Sequence, residues 1–137
     1  MDYKKNIVDA IDSKKDFLND LAMKIHDNPE LAYNEVQACA WMVEALKENG
    51  FEVESPVYGM PTAIRATWGS GKPVIGLLAE YDALPGLSQQ NGTTTFTPVV
   101  EGGPGHGCGH NLLGTATLAA ALGMKAYLEA NNLPGTV

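Results

Sequence analysis

Cys108, Gly109 and His110 close a glycine-rich run, Gly102-Gly103-Pro104-Gly105-His106-Gly107, immediately before an apolar helical pattern. A thiolate and an imidazole are good donors to zinc and similar divalent ions, and a glycine between them lets both side chains turn toward one point without steric cost. The amino end of the following helix would favour the ionised form of Cys108. The competing explanation is a glycine loop that merely contains a small buried thiol and two imidazoles, since a C-x-H spacing is only moderately specific. His106 in the same loop is a candidate third ligand, or else a contact to substrate or solvent.

Glu80 and Asp82 end an apolar run, Val74-Ile75-Gly76-Leu77-Leu78-Ala79. Side chains alternate along a strand, so these two carboxylates share a face and Tyr81 points the other way. Carboxylates at the carboxyl end of a strand can bind metal, orient a ligand imidazole or move protons; a solvated strand end before the Ala83-Leu84-Pro85-Gly86 turn is the plainer alternative. His26, at the end of a helical pattern, is explained by the helix dipole, and Cys39 by packing on an apolar helix face. Gly69-Ser70-Gly71-Lys72 lacks the spacing of a phosphate loop and reads as a hairpin turn.

The elements that must carry these residues follow from periodicity. Ile7, Ile11, Leu18, Leu21, Ala22 and Ile25 recur at helical spacing and predict one helix from Tyr3 to His26, broken by Asp27-Asn28-Pro29. Asn34 with Gln37 reads as the cap of a second helix, stopped by Asn49-Gly50. Three strands are expected over Phe51–Tyr58, Thr62–Trp68 and Val74–Tyr81, antiparallel where the gaps are short, the third inside the sheet because it is apolar throughout. Asp82 to Asn111 reads as one long loop. Asn111 is expected to cap a last helix running to about Asn131, with Thr136-Val137 opening another strand. Residues 1–137 thus read as one α/β unit, helices packed on a mixed sheet.

Composition narrows the function. The net charge is −7 with only nine Lys and Arg, scattered, which argues against nucleic acid as a partner. The polar start, Met1-Asp2-Tyr3-Lys4-Lys5-Asn6, lacks the apolar core of a secretory signal, so a cytoplasmic location is expected. Leu112 to Ala130 is interrupted by Thr115, Thr117, Lys125 and Glu129, which favours a buried globular helix over a membrane span. Two cysteines in dissimilar surroundings do not make a disulfide framework.

Taken together, Glu80-Tyr81-Asp82-Ala83-Leu84-Pro85-Gly86 and Gly105-His106-Gly107-Cys108-Gly109-His110-Asn111 resemble the M20 metallopeptidase family in its amidohydrolase branch. His26-Asp27-Asn28-Pro29-Glu30 is similar to the segment that leads into the family's second helix, and the likeness covers essentially the whole chain. The resemblance implies a zinc-peptidase-like catalytic domain with two divalent ions, zinc or manganese, hydrolysing an amide beside a free carboxylate. N-acyl amino acids or aminobenzoyl-glutamate-type compounds are the small-molecule substrates it suggests. Cys108 and His110 would match ligands, and Asp82 an aspartate that orients and polarises the site. Glu80 stands where other branches carry a metal-binding histidine, a task that falls here to His110. Family members continue into a Glu-Glu pair that supplies the base and a ligand, further histidine ligands, and an inserted dimerisation lid. None of these is in the chain, so it is expected to be an N-terminal piece, without the lid domain and inactive alone. Homo- or hetero-oligomers are expected, and the alternative to an enzyme is a non-catalytic metal-binding or partner protein.

Overall fold

The computed structural model describes residues 3–137; Met1 and Asp2, part of the polar start, lie outside the described residues. The elements in order are α1 (Tyr3–Asp12), α2 (Lys15–His26), α3 (Val36–Glu48), β1 (Glu52–Glu54), β2 (Arg65–Thr67), β3 (Gly69–Ser70), α4 (His110–Ala130) and β4 (Gly135–Thr136). Both α1 and α2 pack on α4, and α3 packs on α2 and β1. The core gathers Leu18, Leu21 and Ile25 of α2, Met42 and Leu46 of α3, Phe51, and Leu118 and Leu122 of α4. Ile25 is fully buried. Among the described residues no helix is long and apolar enough to cross a membrane.

The single first helix expected from Tyr3 to His26 is instead two. The Ser13 hydroxyl donates to the Ala10 carbonyl at 2.7 Å, and the Lys14 amide reaches the Ile11 carbonyl at 2.9 Å, which tightens and ends the first segment. A local hydroxyl bond of this kind competes with the helical ladder, and the chain from Asp12 to Asp16 has no apolar residue to hold it against α4.

Neither asparagine expected to cap a helix does so. The amino end of α3 is satisfied by Glu30, whose carboxylate accepts the backbone amides of Gln37 at 2.9 Å and Ala38 at 3.0 Å. A carboxylate there complements the helix dipole as well as the free amides. At α4, Gly109 is the cap residue, in the left-handed region at φ +81°, and Asn111 lies inside the first turn.

Strands β1 and β2 pair antiparallel with Glu52 opposite Thr67, as the short connection requires, and β3 pairs antiparallel with β4. Gly69–Ser70 is therefore strand rather than hairpin turn. Gly69, at φ +82°, admits no side chain, because a Cβ there would stand 2.3 Å from the Gly135 carbonyl.

The third expected strand shows the largest difference. Val74 to Glu80 is exposed, and its backbone pairing is a parallel bridge from Val74 to Thr136 with the Ile75 amide on the Thr136 carbonyl at 2.9 Å. A central strand needs neighbours on both edges and cover on both faces; among the described residues no strand pairs with the segment between Ile75 and Glu80, its Leu78 carbonyl accepts instead from the Thr117 hydroxyl of α4 at 3.4 Å, and Leu78 is 95% exposed.

Candidate metal centre

His110 opens α4, and three contacts fix where it points. Gly109 turns the chain into the helix, the Leu112 and Leu113 amides both close on its carbonyl, and the buried Asn111 side chain donates to the Ala22 carbonyl of α2 at 3.2 Å. The imidazole then lies between the two carboxylates of the 80–82 segment. Its Nδ1 is 2.8 Å from Asp82 Oδ1 and its Nε2 3.1 Å from Glu80 Oε2. His110 and Asp82 are largely shielded, whereas Glu80 is open to solvent.

One donor atom from each of Glu80, Asp82 and His110 falls within 4.8 Å of the others. A neutral imidazole carries one N–H, so it can satisfy only one of the two carboxylates, and the other nitrogen needs a proton or a cation beside it. Nitrogen and oxygen donors roughly 2.1 Å from one tetrahedral zinc lie about 3.4 Å apart. The 3.1 Å between His110 Nε2 and Glu80 Oε2 is near that ligand-to-ligand spacing as well as hydrogen-bond length. Asp82 on Nδ1 is the arrangement by which a carboxylate fixes the tautomer of a metal-binding histidine. The donor set therefore suits a divalent ion.

The other two candidates stand apart. Cys108 is an exposed free thiol, outside the three-residue group. His106 turns inward and stacks on His26, ring centroids 6.3 Å apart and planes at 28°. Both of its ring nitrogens are shielded and without a hydrogen-bond partner. Burial first, then nearby His26, holds this imidazole below its ordinary pKa; the Ile25 backbone pulls the other way without making a bond of normal geometry.

The loop carrying Cys108 is tied to the chain just after Asp82 by a two-way bridge, Leu84 amide to Gly105 carbonyl and Gly105 amide to Leu84 carbonyl, each 3.0 Å. Gly105 allows the closeness, since a Cβ there would stand 2.1 Å from the Leu87 carbonyl. Residue spacing does not single out Glu30, Glu35 or Tyr81, which hold the 80–82 segment from behind. The Tyr81 hydroxyl donates to the Thr62 carbonyl, and the Thr62 hydroxyl donates to Glu35 at 2.7 Å. Burial, then the neighbouring Cys39, pushes the Tyr81 phenol well above its usual pKa, which keeps it a donor. The alternation that turns Tyr81 away from Glu80 and Asp82 is the only sequence signal for this network. A cavity of about 830 Å³ adjoins the centre, lined by Met42, Phe51, Ile64, Leu78 and Leu118 together with Glu80, Asp82 and His110.

No family model matches the chain. Individual relatives do. It is 48% identical over 131 residues to one of the subunits of p-aminobenzoyl-glutamate hydrolase from Escherichia coli (strain K12), covering 96% of this chain and 27% of that protein. It is 34% identical to the Xaa-Arg dipeptidase of Mus musculus, covering 98% of this chain and 30% of the relative. Among solved structures, the Bacillus subtilis YXEP protein, a dinuclear metal binding peptidase from the M20 family, superposes with TM-score 0.67 at 25% identity, over 85% of this chain and 32% of its own. The chain thus spans between a quarter and a third of the length of these relatives.

Proposed function

The chain belongs to the M20 hydrolase family, and from that membership we propose that it supplies part of the active site of an enzyme that hydrolyses amide bonds by metal-activated water. The observation that carries the reading is the seat of His110, held through Nδ1 by Asp82 and facing Glu80 through Nε2. Relatives named for cleaving aminobenzoyl-glutamate and Xaa-Arg dipeptides support N-acyl amino acids or aminobenzoyl-glutamate-type amides as substrates.

On this reading the His110 Nδ1–H donates a hydrogen bond to Asp82, which leaves the Nε2 lone pair free to bind metal. Cys108 and His110 are the ligands by family resemblance, and the 3.1 Å approach of Glu80 to the His110 Nε2 supports a further carboxylate donor there. What zinc or manganese contributes at such a centre is Lewis-acid polarisation of the amide carbonyl and activation of water near neutral pH. Three or more protein ligands and a base are needed for that chemistry. The base and the remaining ligands are assigned to residues beyond these 137, so the chain alone is expected to be inactive. Its place is in a homo- or hetero-oligomeric, cytoplasmic enzyme.

The test is complementation. Mixed with a separately expressed C-terminal portion of the E. coli relative, the chain should restore cleavage of p-aminobenzoyl-glutamate, and Cys108→Ser or His110→Ala should abolish it. Hydrolysis by the chain alone, well above a Cys108→Ser control, would refute the division of the site; restoration undiminished by His110→Ala would refute the centre.

A further inference from the structure

Tyr81 stands between the two carboxylates that meet His110, and its own side chain runs the opposite way, onto the hydrophobic core. There its hydroxyl donates to the Thr62 carbonyl, and Thr62 passes the connection to Glu35, a carboxylate only 8% exposed. Burying an acid and a phenol is costly unless each is bonded, so this pair of bonds is specific to one placement of the segment. Two residues on, the Ala83 amide donates to the Glu30 carbonyl at 2.7 Å, and Glu30 is itself fixed by capping α3. The segment is thus pinned at positions 81 and 83 to the chain around α3, while positions 80 and 82 reach His110.

We propose that Tyr81 is a positioning residue for the Glu80–His110–Asp82 centre, holding the two carboxylates at the imidazole through Thr62 and Glu35. Its consequence for metal binding rests on the proposed function of that centre; the placement of His110 does not.

The experiment uses the 137-residue chain and two readouts: the ring nitrogen and proton resonances of His110 in metal-free protein, and the absorption of added cobalt(II). Tyr81→Phe keeps the ring and removes the hydroxyl. It should shift the His110 resonances and weaken cobalt binding by roughly fivefold, the size of one lost hydrogen bond. Thr62→Val, which keeps the carbonyl, should act in the same direction more weakly and add nothing in the Tyr81→Phe background. Folded Tyr81→Phe with wild-type His110 resonances and cobalt affinity would overturn the proposal. Should Tyr81→Phe not fold, Thr62→Val with unchanged His110 resonances would do so. If the wild-type chain takes up no cobalt, the metal reading fails, and the His110 resonances still decide the role of Tyr81.

Discussion

Asp82 and His110 act as a unit: the carboxylate decides which imidazole nitrogen carries the proton, and so which one is free to bind. Asp82→Asn keeps the size of the side chain but can present an N–H to Nδ1, and it removes a negative charge from the centre. It should weaken divalent metal binding by about tenfold or more, read by competition with a chromophoric chelator. Glu80 and Asp82 stand two apart in an extended run and His110 opens α4, which the sequence pattern conveys; that the three side chains meet is seen only in the structure. The directions of Cys108 and His106 were not legible either. Both lie in that loop, where side-chain direction follows backbone angles such as Gly109 at φ +81° and packing against His26, and neither can be read from a spacing.

The elements that hold these residues depend on close backbone approach more than on strand pairing. The loop at Gly105 is pressed against the Leu87 carbonyl with no room for a side chain. Gly105→Ala should therefore destabilise the chain by about 1–3 kcal/mol in a urea titration followed by circular dichroism, as overpacking against backbone does; an unchanged midpoint would mean that the loop moves aside freely. Helices α2, α3 and α4 and the pairing of β1 with β2 were legible from periodicity and turn residues. The break at Ser13 and the capping of α3 by Glu30 were not, because each depends on a side chain reaching backbone that the local pattern assigns elsewhere. Asn34 and Asn111 carry the usual cap chemistry, yet they direct it to the Ala32 carbonyl and to α2.

Taken whole, the molecule leaves apolar surface open along Val74, Ile75, Leu77 and Leu78, on a segment whose sequence suits the interior of a sheet. Its expected burial was an inference from composition, sound for a strand with two neighbours, and among the described residues strand pairing is found only at its start. Unpaired apolar edges invite association. Light scattering should accordingly find concentration-dependent oligomers, and Leu78→Lys should return the chain to a monomer; a monomeric wild type would count against this. The functional reading itself turns on whether an ion binds at the His110 Nε2, beside Glu80. After dialysis against chelator and reloading with zinc, manganese or cobalt, elemental analysis of the wild-type chain should find at least one tightly held ion per chain and none in His110→Ala. A wild-type chain that emerges empty, or a His110→Ala chain that retains the same metal, would contradict it.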